Sequence, residues 1–276
     1  MKNFKNKNIL ITGGARGLGK QIAIEFASKG ANIIICDLNE SFFRPECFPE
    51  NIKEITSYGV KCYGYCLDVT NYDKIQSVKN KIHSDLGKID ILVNNAGVVF
   101  GGDFLDTSIE KHKITYDVNV IGVINFLHIF LDDLINQQES HIINISSASG
   151  FTSLPGAASY ASSKSALTNL SESLRIELKK KGYNHIGMTI VCTAFINTGM
   201  FNGIKEPTFI PMLSQQKISK KIIKAVKTGK LFVIEPGFVK LIPFIKSIFP
   251  RPIFDFLGSV LGGFKSMDFW EGHSKK

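Results

Sequence analysis

The stretch Asn8-Ile-Leu-Ile-Thr12-Gly13-Gly-Ala-Arg16-Gly17-Leu18-Gly19 decides the fold. Its apolar first half reads as a short buried strand, its glycines as a tight turn, and the amphipathic pattern over residues 20–29 as a helix. Strand, glycine-rich turn and helix in that order make a cradle for phosphate. Glycines let the backbone turn tightly and approach a pyrophosphate, while the start of the helix offers free N–H groups at the positive end of its dipole. Gly13, Arg16, Gly17, Leu18 and Gly19 are therefore candidate contacts to a dinucleotide, at the spacing Gly-x-x-x-Gly-x-Gly.

Working outward, Ala31-Asn-Ile-Ile-Ile-Cys36 reads as a second buried strand that ends at Asp37, 18 residues beyond Gly19. A carboxylate there can accept hydrogen bonds from both hydroxyls of an adenosine ribose and repels a 2′-phosphate, which favours NAD. Arg16 in the glycine turn can meet a 2′-phosphate, so NADP stays open. A helix is expected over 46–58 and a third strand over 61–67. Asp68-Val69 follows, where a carboxylate can accept from the adenine amino group. Asn71 is placed to cap a helix reaching about residue 86. Ile89-Asp-Ile-Leu-Val93 reads as a fourth strand running into Asn94-Asn95-Ala96-Gly97. A long helix over 110–135 contains Asn119-Val-Ile-Gly122, a poor combination for regular helix. Strands over 141–146, 185–192 and 231–234 and a helix over 218–228 complete the pattern. Strands and helices alternate at βαβ spacing, which implies a doubly wound α/β fold: a parallel sheet with helices on both faces. The expected division is a nucleotide-binding catalytic domain over 1–237 and an extension over 238–276.

Chemistry converges on Tyr160-Ala-Ser-Ser-Lys164, at the start of a helix expected over 159–181. Four residues apart, a phenol and an ammonium share one helix face. The ammonium should draw the phenol's pKa down toward working pH, making Tyr160 fit to exchange a proton with an alcohol or carbonyl. Ser147 lies at the end of the fifth expected strand, thirteen residues before Tyr160, so both fall at the carboxyl edge of the sheet, where open α/β folds bind ligands.

With 276 residues, 44% hydrophobic and 21% charged, the composition is that of a globular protein with a substantial core. The apolar run after Met1 is too short for a secretory signal. Cys36, Cys47, Cys62, Cys66 and Cys192 lack the paired spacing of a zinc site and read as reduced thiols in a cytoplasmic protein, with no metal expected. Residues 1–200 carry 20 Lys and Arg against 19 Asp and Glu, and residues 201–276 carry 13 against 5, so nearly all of the +9 net charge is C-terminal. A solvated lysine face or an anionic membrane surface would account for it; no nucleic-acid module accompanies the charge. Residues 238–264 are rich in Phe, Ile and Leu but broken by Lys240, Lys246, Arg251, Asp255 and three prolines, which argues against a transmembrane span. Short helices over the substrate crevice, or aromatic side chains dipping into a membrane interface while the lysines meet lipid headgroups, fit this pattern.

Thr12-Gly-x-x-x-Gly-x-Gly19, Asp68-Val69, Asn94-Asn-Ala-Gly97, Asn119, Ser147, Tyr160 and Lys164, in this order, resemble the short-chain dehydrogenase/reductase family over about residues 7–234. The resemblance implies one Rossmann-type domain with a seven-stranded parallel sheet. It implies pairing through the two long helices into homodimers or homotetramers. It also implies a set of roles: Tyr160 as general acid/base, Lys164 on the nicotinamide ribose, Ser147 on the substrate oxygen and Asn119 in a water relay. Asn95, Ala96, Gly97 and Thr198 join the cofactor site on the same ground. One departure is visible: Thr193-Ala194 stands where the family has Pro-Gly. Asn197-Thr-Gly-Met-Phe201 and Lys265-Ser-Met-Asp268 resemble the branch of retinol and 17-beta-hydroxysteroid dehydrogenases, whose N-terminal anchor this chain is expected to lack. The implied activity is hydride transfer between NAD(H) and a lipophilic alcohol or carbonyl such as a retinoid, steroid or fatty alcohol. An NADPH-dependent carbonyl reductase and a non-catalytic, lipid-associated dinucleotide-binding scaffold are the alternatives.

Overall fold

The structure is a computed structural model, and it describes residues 1–38, 48–204, 206, 211–260 and 262–271. Cys47 and the first residues of the helix expected from 46 lie outside the described residues. Among those described, seven strands form one sheet: β1 Asn8–Thr12, β2 Asn32–Asp37, β3 Cys62–Cys66, β4 Ile91–Asn94, β5 Ser140–Ile145, β6 Ile186–Thr193 and β7 Phe232–Glu235. Their order is β3-β2-β1-β4-β5-β6-β7, and every neighbouring pair is parallel. The chain reverses its winding between β1 and β4, so the crevice for a ligand opens at the carboxyl ends of those two strands.

The strands read as nearly unbroken apolar runs because both faces of the sheet are covered. Alternate residues divide between two cores. Ile9, Ile11, Ile33, Ile35, Ile91 and Val93 pack with helices α1 (Gly17–Ala27) and α7 (Gln215–Thr228). Leu10, Ile34, Cys36, Leu92, Ile142 and Ile190 point the other way, toward α3 (Tyr72–Asp85), α5 (Gly122–Ile135) and α6 (Ala158–Lys180). Helix α2 spans Phe48–Thr56 and packs on α1. Asn71 caps α3 as expected, its side chain accepting from Lys74 N at 2.9 Å.

The expected helix over 110–135 is a helix with an interruption: α4 (Ile109–Tyr116), a π-helical turn over Asp117–Ile121, then α5. Asn119 sits in the wide turn, and the extra residue there aims its amide inward instead of along the helix surface. Gly122 follows because Val69 packs against it; a Cβ there would lie 2.6 Å from a Val69 methyl. By length and composition Ile109–Ile135 could cross a membrane. In this fold Phe126, Ile129, Phe130 and Leu134 are buried against the sheet, while Ile109, Ile114, Ile121 and Ile124 stay exposed.

After β7 come a 3-10 turn (Gly237–Leu241), α8 (Ile242–Ile248), α9 (Arg251–Val260) and a second 3-10 turn (Gly263–Lys265). The basic excess divides between two places. Lys217, Lys220, Lys224 and Lys227 line the outer face of α7, and Lys240, Lys246, Arg251 and Lys265 are spread through the apolar tail.

Candidate active site

The site begins with the turn from β1 to α1. Gly13 and Gly17 adopt left-handed angles, φ 61° and 58°, that a side chain would strain. At Gly19 the reason is space: a Cβ would lie 2.2 Å from the Gly13 carbonyl oxygen. Arg16 occupies the N-cap without a side-chain capping bond, and the first turn of α1 holds no acid. Nothing in the helix's own side chains neutralises its positive end, which is what a diphosphate requires. The residues present thus fit a dinucleotide.

Hydrogen bonds fix that turn from both sides. Asp37 Oδ2 accepts from Ala15 N at 3.0 Å, so the acid at the end of β2 is tied to the glycine turn as well as facing the cavity. Thr12 Oγ1 accepts from Asn95 N and Ala96 N, both at 3.0 Å. The Asn95 amide donates to the carbonyls of Thr12 and Gly13 at 2.9 and 2.8 Å. Asn95 therefore spends its side chain on holding the turn. Asp68 accepts from Thr70 N and Thr70 Oγ1 through one oxygen.

A buried ladder aligns the next two strand ends. Asn94 Nδ2 donates to Asn144 Oδ1 and Asn144 Nδ2 to Ser171 Oγ, each at 2.8 Å. The loop that carries Ser147 follows. Ser147 Oγ accepts from Ser149 N at 3.1 Å and Ser149 Oγ at 2.9 Å, with its own proton aimed at the Thr193 carbonyl at 3.4 Å. Helix α6 brings Tyr160 and Lys164 to this point, both almost wholly buried. Lys164 Nζ donates to the Ile145 carbonyl at 2.8 Å and lies 5.7 Å from the centre of the Tyr160 ring.

Here one sequence expectation needs correcting. Burial pushes the Tyr160 phenol up to about 12, opposed only by the Ser147 hydroxyl beside it. Burial also pushes the Lys164 ammonium down to about 8, opposed by the Cys192 thiol behind it. Spacing on a helix face showed that the two groups meet; it could not show that loss of water around the phenol outweighs the attraction of the ammonium. The protein alone therefore holds Tyr160 as a neutral phenol.

All of the predicted residues except Gly19 and Asn119 line one cavity of about 760 Å³. Gly19 acts by sparing room. The Asn119 amide accepts from Val98 N at 2.8 Å and donates to Val98 O at 2.9 Å and Ser163 Oγ at 3.0 Å. It lashes the loop after β4 to α6, and both of its N–H groups are committed to protein. Thr198 faces Gly17 across the cleft: a Cβ on Gly17 would meet the Thr198 side chain at 3.4 Å.

The other half of the cavity is apolar. Phe201 stands edge-on to Tyr160, with centroids 5.9 Å apart, and to Phe195 at 5.0 Å. Leu154, Met200, Ile242, Ile245 and Phe254 continue the wall. The Thr193-Ala194 departure is absorbed by extending β6: Ala194 N donates to the Glu235 carbonyl at 2.8 Å. Sequence reading missed Thr12 as a pin, Ser149 as the partner of Ser147, and Phe195 and Phe201 as wall. Only the serine cluster at 146–149 carried a local signal.

A glycine-cradled crevice at the switch point of a parallel sheet, with Tyr, Lys and Ser at its rim, defines a dinucleotide-binding oxidoreductase. The short chain dehydrogenase model matches residues 7–208, and the chain belongs to that family. It is 33% identical to epidermal retinol dehydrogenase 2 of Mus musculus, over all of this chain and 88% of the relative. It is 28% identical to estradiol 17-beta-dehydrogenase 11 of Rattus norvegicus, over 93% of this chain and 84% of the relative. The fold matches a short chain dehydrogenase/reductase from Burkholderia phymatum solved in complex with NAD, with TM-score 0.79 and 24% identity over 90% of this chain and 95% of that one.

Proposed function

We propose that the protein transfers a hydride between NAD(H) and a lipophilic alcohol or carbonyl, with Tyr160 as general acid/base. The observation that carries this reading is the two-sided cavity. One half is lined by the glycine turn and Asp37, the other by apolar side chains, and Ser147, Tyr160 and Lys164 stand where they join. A bound nicotinamide would supply the hydride acceptor or donor. Gly13, Arg16, Gly17 and Leu18 suit its diphosphate, Asp37 the adenosine ribose, Asp68 and Val69 the adenine, Asn95 to Gly97 and Thr198 the nicotinamide side.

Ser147 holds the substrate oxygen and turns it toward Tyr160. In oxidation the carbinol C–H bond breaks with its electron pair leaving as hydride, and the hydroxyl proton passes to the Tyr160 phenolate. In reduction the phenol returns that proton to the oxygen. Lys164 beside the ring favours the phenolate as an opposite charge, working against the loss of water that keeps the phenol neutral in the protein alone. Asn119 keeps the loop after β4 and α6 in register, so that Lys164 and its solvent relay stay aligned. The retinol and estradiol names of the relatives, together with the apolar wall, support a retinoid, steroid or fatty alcohol. Arg16 on the cavity wall supports NADP as a second cofactor.

The test is Tyr160→Phe, assayed with retinol, estradiol and 1-dodecanol by NADH absorbance. Turnover should fall on the order of 10³-fold while NAD affinity stays within about twofold. Undiminished turnover would refute the assignment.

Two associations complete the proposal. Ile114, Ile121, Ile124 and Ile176 leave an exposed apolar face on the α4–α5 and α6 helices that suits a homo-oligomer. Helices α8 and α9 turn Ile242, Ile245 and Phe254 to the cavity and leave Phe244, Ile248, Phe256 and Val260 exposed beside Lys246 and Arg251, which suits peripheral contact with an anionic membrane or lipid-droplet surface. A cytoplasmic location suits the free thiols of Cys36, Cys62, Cys66 and Cys192. Sedimentation of the purified chain, alone and with anionic vesicles, should give a dimer or larger mass, and pelleting that is lost in a form ending at Gly237. A monomer mass, or equal pelleting of both forms, would remove the corresponding association.

A further inference from the structure

After the last 3-10 turn, the chain over 266–271 runs back between two loops at the mouth of the site. On one side is the loop after β4, at Gly101 and Gly102, itself joined to Gly156 by Gly102 N donating to the Gly156 carbonyl at 2.9 Å. On the other is the loop after β6, over 199–204. Trp270 Nε1 donates to the Met200 carbonyl at 3.1 Å, and Glu271 N donates to the Asn202 carbonyl at 2.9 Å. Met267 is buried beneath, in the same apolar cluster as Tyr160, Phe195 and Phe201.

Glycines make room for this strap. A Cβ on Gly101 would lie 2.6 Å from the Trp270 ring, one on Gly156 2.9 Å from Met267 Cβ, and one on Gly203 2.3 Å from the Phe269 carbonyl oxygen. Gly156 and Gly203 also have left-handed φ values, 75° and 79°. Gly101 does not, so the indole is what its missing side chain accommodates. Met200 and Phe201 line the cavity, whereas Trp270 stands behind them and does not.

We propose that Trp270 is a positioning residue for the alcohol-binding wall: it holds the 199–204 loop so that Phe201 stays against Tyr160, and thereby sets affinity for the alcohol without touching the dinucleotide half. This inference rests on the hydride-transfer reading for its kinetic arm and on geometry alone for its other arm. The strap acts through one indole N–H on Met200 and one backbone N–H on Asn202, with the indole ring braced against Gly101 on the opposite loop.

The test uses the full chain and the variants Trp270→Ala, Trp270→Phe and Gly101→Ala, the last keeping the indole but displacing it. With retinol, estradiol and 1-dodecanol, Trp270→Ala and Gly101→Ala should raise KM for the alcohol about tenfold, with KM for NAD within about twofold. Trp270→Phe, which keeps a ring and loses the donor, should raise it less. Amide hydrogen exchange over 199–204, measured without substrate, should quicken in the same order. Unchanged alcohol KM, or a uniform loss in both KM values, kcat and melting temperature, overturns the proposal. If the wild type oxidises none of the three alcohols, the hydride-transfer reading has failed. Exchange then decides the strap by itself: quickened over 199–204 upholds it, unchanged ends it.

Discussion

The two halves of the cavity are built by different means. The dinucleotide half is pinned by hydrogen bonds between side chain and backbone and by glycine geometry: Thr12, Gly13, Ala15 and Gly19 on the first turn, Asp37 and Asn95 reaching it from the ends of β2 and β4. The apolar half is assembled from the 152–154 and 195–201 loops and from the tail beyond residue 237, mainly through apolar contacts, with the Trp270 and Glu271 bonds to Met200 and Asn202 as its directional ties. Polar groups that must each find a partner leave little freedom in the first half. Apolar packing is non-directional and tolerates exchange of one side chain for another of similar volume. One half can therefore stay fixed while the other changes what it admits.

That contrast can be broken most severely at Gly19. Gly19→Ala places a methyl 2.2 Å from the Gly13 carbonyl, in backbone and not in a flexible side chain. It should cost about 1–3 kcal/mol of stability and abolish measurable NAD binding, read by thermal melting and nucleotide titration. A soluble variant that binds NAD normally would show the turn to be pliable after all. Next in size is Asp37→Ala, which should raise KM for NAD about tenfold, narrow the preference against NADP and leave alcohol KM alone. Equal shifts in both substrates would blur the division between the halves.

The smallest effect is in pH. The Lys164 pKa in the folded chain, about 8, lies below its ordinary 10.5. Between these values the unfolded chain binds the proton more firmly, so this group's contribution to stability rises with pH. Tyr160 has the opposite sign: its folded pKa, about 12, lies above 10, so stability falls with pH above 10. The melting temperature of the wild type relative to Lys164→Met should therefore climb between about pH 8 and 10, and a flat difference over that window would show that the ammonium is better solvated than its burial implies.

How much could be read from the chain follows the same division. The order of strands and helices, and the identity of the glycine turn, were legible because period and glycine spacing are local properties. Asn119 was legible as an interruption but not as a lashing between Val98 and Ser163, since its partners lie 21 and 44 residues away. The lysine excess was legible as a number, while its division between α7 and the tail was not.

The sequence by itself determined the parallel sheet, the dinucleotide cradle and the meeting of Tyr160 with Lys164, because backbone angles and helix period depend on residues close in the chain. Only the tertiary structure decided the protonation of Tyr160, the shape of the apolar wall and the return of Trp270 to the loop it holds. Burial and long-range packing set those, and neither exists until distant segments have come together.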